Sequence, residues 1–352
     1  MRHRRSARLA IVTGLALLLV AVPAGAAMAC GGLVAPNGTI SLLRTTTLAA
    51  YHRGVEHYVT SFSFSGEAGA ELGSIVPLPG IPTDVTPAGK WTLQRLVLET
   101  QPPLFAADAA LAVAGSEATA RVLFETEIDA LDITVLEGGA VEVGNWATDH
   151  GFFLPPDAPE VLEFYAARSP IFLAARFNAA RAAEQGLVEG EGTPIHVEIP
   201  TPNPWVPLRI LGLGRQPSDT IEADVYLLTD REPALLPQAT GGVVLERSEA
   251  ASDALLTDLA SDRGMGWLPT SGMWLSHLAI DAPARQLDHD LAIDASGFGQ
   301  PSKVAAGLLA PPEIRPTDPT PTGWLVLAVL AMAGFIGVTG AIVGRRPRGS
   351  TA

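Results

Sequence analysis

One cysteine, Cys30, stands among 352 residues. No internal disulfide can form, so any folded part is held by core packing alone. Familiar catalytic signatures are missing as well: the chain has no GxSxG elbow, SxxK, P-loop, HExxH or CxxC pattern. Gly212-Leu213-Gly214 starts like a dinucleotide loop, but Pro217 occupies the third glycine position. Basic residues are scarce away from the two ends. Seven of the 23 Lys and Arg lie in residues 1–29 and 345–352, which hold no acids, leaving 16 basic against 37 acidic groups between them. That stretch carries a net charge of −21 and repels nucleic acid and anionic headgroups, so no nucleic-acid partner is expected.

What the chain does have is organised by its ends. Residues 324–344, from Trp324 to Gly344, form an uninterrupted apolar run, followed by Arg345, Arg346 and Arg348. About 20 apolar residues at ~1.5 Å rise span a hydrocarbon core of ~30 Å. The arginines place the C-terminal side in the cytoplasm, and Trp324 suits the opposite interface. Gly340 and Gly344 form a GxxxG pattern through which two such helices can pack as a dimer. At the other end, Arg2, Arg4, Arg5 and Arg8 precede an apolar segment from Leu9 to Val22. This reads as a signal peptide over residues 1–29, cut after Ala26 or Ala29. Cutting after Ala29 leaves Cys30 first, which raises lipidation, although Ala27 lacks the bulk a lipobox favours. Pro-rich residues 310–323 read as a stalk. Pro319 to Gly323 also invites a sortase reading, against which the expected Leu-Pro is missing. The tail is residues 345–352.

Between signal and stalk, residues 30–309 read as an α+β ectodomain with mainly antiparallel sheet, with a possible subdomain break near 130. Strands are expected at Ile40–Tyr51 and Val55–Phe64, joined by a turn at His52-Arg53-Gly54. Leu72–Leu78 follows as a strand that Pro77 and Pro79 end or mark as an edge. Helical spacing predicts Trp91–Thr100, with Trp91, Leu93, Leu96 and Val97 on its apolar side. Further strands are predicted at Ala120–Ile128, Leu131–Leu136, Ile171–Phe177, Ile195–Ile199, Val206–Leu213, Ala223–Leu228, Val243–Glu246, Trp274–Ile280 and Leu291–Asp294. Helices are expected around Trp146, from Asp157 and Pro159 to before Pro170, and over Ser252–Leu259.

Three polar groups bear on chemistry. His52 and His57 flank the predicted hairpin turn and can share a metal, with Glu56 as carboxylate, but Glu56 and His57 alternate in facing. Asp288, His289 and Asp290, with Asp294, offer oxygen ligands and an imidazole without the spacing of a calcium loop. Asp149 and His150, with Asp230, Arg231 and Glu232, supply acid–base groups that nothing in the sequence brings together. The expectation is therefore no catalytic residue, no cofactor and no metal site. His52, His57, Asp288, His289 and Asp290 remain as the residues a metal would use.

From residue 131 to 236 the chain becomes recognisable. Ile133 to Leu187, Gly192 to Gly214 and Glu222 to Pro237, together with the earlier ACGGLVAP and IVPLPGIP, resemble a family of exported, uncharacterised bacterial proteins, domain of unknown function 2330. Pro204-Trp205-Val206-Pro207-Leu208-Arg209 is the most distinctive short match. The resemblance implies an extracytoplasmic, membrane-anchored protein with no assigned reaction, and it supplies no catalytic residues. Many relatives carry further cysteines near the N-terminus, where this chain has Cys30 alone. The combined reading is a single-pass envelope protein that binds a partner or serves a structural role. The alternative is an envelope hydrolase built on Asp149, His150 or Asp230.

Overall fold

The computed structural model describes residues 32–34, 45–61, 73–100, 120–152, 154–185, 193–238 and 241–312. Residues 1–29, read as a signal, Cys30, the 324–344 run with Gly340 and Gly344, residues 345–352 and most of residues 310–323, read as a stalk, lie outside these residues. No helix among the described residues is long and apolar enough to cross a membrane.

Two large sheets form the body. The first has the order β1 (Gly32–Val34), β4 (Gly73–Pro77), β8 (Ile171–Phe177), β7 (Leu131–Glu137), β6 (Arg121–Ile128). The second has the order β13 (Val243–Ala250), β14 (Trp274–Pro283), β11 (Thr220–Thr229), β2 (Thr45–His52), β3 (Val55–Thr60), β9 (Ile195–Pro200), β5 (Asp84–Pro87). A small sheet orders β10 (Trp205–Val206), β15 (Leu291–Asp294) and β12 (Ala234–Leu236). Among the described strands every pairing is antiparallel except β2 with β11. The fold is α+β and mostly antiparallel.

The sheets stack face to face, and helices cover both outer faces. Ile133, Val135, Leu173 and Ala175 of the first sheet meet Ala49, Tyr58, Val197, Val225 and Leu227 of the second in one core. Residues of opposite parity point outward. Ile75, Leu136, Phe172 and Ala174 pack on α2 (Ala140–Asp149) and α3 (Ala158–Ala166) through Val143, Trp146, Leu162 and Tyr165. Leu48, Ala50, Val59, Tyr226 and Leu228 pack on α1 (Lys90–Thr100) and α5 (Asp253–Ala260) through Leu93, Leu96, Leu255 and Leu259. This four-layer arrangement explains why central strands such as Val225-Tyr226-Leu227-Leu228 read as continuous apolar runs. Both of their faces are buried, so side-chain alternation selects a layer and not an inside or outside.

Several expectations shift. Pro77 and Pro79 do not mark an edge: β4 lies between β1 and β8, and Pro77 closes the strand opposite Phe172. Trp91 is 39% exposed, so the buried side of α1 is Thr92, Leu93 and Leu96. The strand expected at Val206–Leu213 stops after two residues and becomes a 3-10 turn over Arg209–Gly212, because Leu208 and Arg209 donate their amides to a buried carboxylate described below. Asp157 precedes α3 without capping it, and both its carboxylate oxygens accept from the Gly214 amide at 3.1 Å. Ser252 does cap α5, its Oγ accepting from Leu255 N at 3.1 Å. Residues 129–130 are the turn of the β6–β7 hairpin, and each large sheet takes strands from both sides of it. Strands β1, β5 and β12 and the short helix α4 (Ala179–Glu184) were not anticipated.

Candidate functional site

One group of polar side chains converges at the β5 end of the seven-stranded sheet. There β3, β9 and β5 run side by side, and His57, Glu198 and Asp84 are direct cross-strand partners. His196 is two residues before Glu198 on β9, so both side chains share one face. His57 Nδ1 lies 2.9 Å from His196 Nε2 and 3.9 Å from Glu198 Oε1. One donor atom from each of the three residues lies within 4.8 Å of the others. Trp267, from the loop after α5, stacks on the His57 ring at 3.6 Å between centroids and 4° between planes. Met265 and Leu268 on either side of Trp267 are buried in the layer under α1 and α5 and hold that loop down.

Burial sets the charge state of this group. Desolvation first, then the neighbouring His196 and His52, push His57 down to about 3. Desolvation takes His196 down to about 4 against the opposing pull of Asp84. Both imidazoles are therefore neutral at neutral pH. With nitrogen facing nitrogen at hydrogen-bond distance, one ring must donate and the other accept. Glu198 is held above the usual carboxylate range, by desolvation and then by Asp84, yet its side chain keeps 34% of its exposure and opens the group to solvent. Two neutral nitrogen donors and one carboxylate converging on one point form a ligand set for a metal or a proton.

His57 was anticipated here, but its partners were not. The His196-Val197-Glu198 spacing on a predicted strand already placed two ligand-type side chains on one face. What no local pattern shows is that β9 pairs with β3 across 139 residues. His52 goes elsewhere: its Nδ1 is 2.6 Å from Asp230 Oδ1, while Asp230 Oδ2 accepts from Arg53 N at 3.3 Å. Arg53 and Gly54 have φ of 51° and 86°, the two positive values that a tight hairpin turn requires. Asp230 thus braces the β2–β3 turn. Glu56, on the opposite face of β3 from His57, is fully buried; its Oε2 accepts from Trp205 N at 3.3 Å, and its Oε1 has no hydrogen-bond partner among the described residues. Burial raises it to about 8, so it is protonated at neutral pH.

Asp288, His289 and Asp290 are divided between surface and interior. Asp288 and His289 pair with each other at 2.6 Å on the surface. Asp290 is 0% exposed. Its Oδ1 accepts from Tyr165 Oη and Leu208 N at 2.8 Å and from Arg209 N at 3.0 Å, and its Oδ2 accepts from Arg168 Nη2 at 2.5 Å. Tyr165 Oη in turn accepts from Ile210 N at 2.9 Å. The Arg168 guanidinium lies over the rings of Phe164, Tyr165 and Trp205. Asp290 and Arg168 are thus the clamp that shapes the Pro204–Arg209 segment. Burial, followed by the Asp290 charge, drives Tyr165 well above the ordinary phenol range.

His150 stacks on Trp146 and faces its carbonyl at 2.7 Å, lining a cleft of about 670 Å³ with Asp132, Arg176 and Arg181 beside the five-stranded sheet. Asp230 is tied to His52 just past the end of β11 and is not among the residues that line this cleft. A further pair was not foreseen: His277 Nε2 lies 2.8 Å from Asp224 Oδ1, both buried, and the His277 ring stacks on Tyr226.

Fold and site together define a four-layer α+β body with a histidine–carboxylate group at one sheet edge. Residues 23–235 match the family described as an uncharacterized protein conserved in bacteria (DUF2330), and the chain belongs to that family. No functionally curated protein matches it. Two solved structures share a coarse likeness. One is a mutated baculovirus P35 after caspase cleavage, at 8% identity and TM-score 0.36, over 72% of this chain and 99% of that one. The other is a chain of the caspase-8/P35 complex, at 9% identity and TM-score 0.37, over 72% and 96%. Both likenesses are too slight to bear on function.

Proposed function

We propose that the protein is a single-pass, membrane-anchored module of the bacterial envelope that acts by binding, with its body outside the cytoplasmic membrane. The observation that carries this reading is the order of parts along the chain. The chain opens on an export-type start, its first compact unit runs to Pro311, and the apolar run 324–344 with its arginines follows. The acidic balance of the middle suits a body that stays clear of anionic headgroups. The polar groups inside the body also suit binding more than acid–base turnover. Asp290 is saturated by backbone and Arg168 donors, and Asp230 is engaged with the hairpin turn. A hydrolase built on Asp149, His150 and Asp230 would need those groups to reach one substrate, whereas His150, beside Asp149 at the end of α2, lines the cleft at the five-stranded sheet and Asp230, just past β11, is held by His52 and the Arg53 amide.

Fractionation of cells expressing the full chain, combined with external protease, tests the reading. The expected result is a detergent-extracted protein whose body is digested from outside while the membrane remains intact. Recovery in the aqueous fraction, covalent linkage to the wall, or complete protection from external protease would each overturn it.

A further inference from the structure

We propose that His57, His196 and Glu198 form a binding site for one divalent transition-metal ion of the zinc class. The inference goes beyond the envelope reading and does not depend on the compartment in which the chain resides.

The geometry is the first support. A tetrahedral ion with ligands at about 2.0–2.1 Å holds its donor atoms roughly 3.3 Å apart. The distances from His57 Nδ1, 2.9 Å to His196 Nε2 and 3.9 Å to Glu198 Oε1, fall on either side of that value. The third separation, between His196 and Glu198, is within 4.8 Å, so an ion entering the group would be met by small adjustments of the three side chains. It would take the place of the single proton that the two ring nitrogens now share. The donor chemistry is the second support. Two imidazoles with one carboxylate suit zinc, cobalt, nickel or ferrous iron, whereas calcium and magnesium take sets made of oxygen alone.

The surroundings act as those of a ligand set do. Trp267 lies flat on His57 and prevents the ring from turning its nitrogens away. The donors come from paired strands inside a sheet, so their spacing is fixed by main-chain hydrogen bonds and not by a loop. Asp84, directly across from Glu198, adds negative charge beside the site and lies at its solvent side. Three protein ligands leave a position open to water or to a ligand from outside. A plain alternative is a histidine pair that merely hydrogen-bonds within the packing, and the two accounts part on one measurement.

The experiment is a titration of the full chain in detergent. The chain is stripped with EDTA, then given Zn²⁺ in competition with a chromophoric chelator, and in a parallel arm Co²⁺ is followed by its visible absorption. The expected result is one ion per chain in both arms. His196→Ala and Glu198→Gln should each weaken binding by at least about 100-fold, the upper end of what outer-shell changes cost. Because Glu198 is partly exposed, Glu198→Gln should leave the melting of the stripped chain unchanged, which separates lost binding from lost folding. Absence of stoichiometric binding by either ion would overturn the proposal. So would one-to-one binding that survives both substitutions, since the ion would then sit on other histidines.

Discussion

Two clusters of charged and aromatic side chains in this protein are built from similar parts and do opposite things with them. Around Asp290, a carboxylate, an arginine, a tyrosine and a tryptophan are buried together, and each oxygen of the carboxylate has its donors. Around His57, two histidines, a carboxylate and a tryptophan meet at a sheet edge with one proton between two nitrogens and a carboxylate open to water. A buried polar network with every member satisfied rigidifies the fold. A convergent one with lone pairs to spare and a path to solvent can take a ligand. The difference lies less in residue type than in how many donors the backbone supplies. Asp290 receives two main-chain amides. None of the hydrogen bonds described for the His57 group comes from a main-chain amide.

The largest expected effect breaks the first cluster. Asp290→Ala leaves Arg168, whose side chain is 4% exposed, as a buried cation without its partner and frees two amides of the Pro204–Arg209 segment. Loss of one member of a buried pair costs about 3–5 kcal/mol. Denaturant unfolding of the full chain should show a loss of that size, and a change below about 1 kcal/mol would contradict the clamp role.

The next sharpens the boundary between the clusters, because Glu56 and His57 are adjacent in sequence and face opposite layers. Burial raises Glu56 from 4.5 to about 8, so the folded state holds a proton that the unfolded chain releases at lower pH. Its effect on stability is therefore absent below pH 4.5. Stability then declines as pH rises from 4.5 to 8, by a few kcal/mol in total. Glu56→Gln keeps the neutral shape and should flatten that part of the stability–pH curve; an unaltered slope would show that Glu56 is ionised in the fold. Smaller still is Ser252→Ala, which removes the cap of the helix that precedes the Trp267 loop. It should cost about 1 kcal/mol in denaturant unfolding, and a cost near zero would mean that the cap adds nothing to α5.

Much of the fold was legible in the sequence because the strongest signals are local. Ile171–Phe177 and Leu291–Asp294 form strands with the expected limits, and the helix expected over Ser252–Leu259 forms over Asp253–Ala260 with Ser252 as its cap. The failures have physical causes. The segment from Val206 has the apolar run of a strand, but Asp290, 82 residues from Leu208, takes its amides out of any ladder. Trp91 fits a helical apolar face yet is exposed, because the face that α1 buries runs through Thr92, Leu93 and Leu96. At the candidate site, His57 was legible as a possible ligand. Its partners depended on strand register, which binds β3 to β9 over more than a hundred residues and leaves no trace in either strand alone. Asp290, read with Asp288 and His289 as an oxygen ligand, is instead buried at the centre of the interior, because Tyr165, Arg168 and the amides of Leu208 and Arg209 converge on it from segments far away in sequence.

The contrast between a closed cluster and an open one is tested most directly by X-ray absorption at the zinc edge of the full chain loaded with one equivalent of Zn²⁺. The account predicts a shell of two imidazole nitrogens and carboxylate oxygen at about 2.0–2.1 Å, with the imidazole scattering reduced by His196→Ala. A shell of oxygens alone, or imidazole scattering that His196→Ala leaves intact, would contradict it.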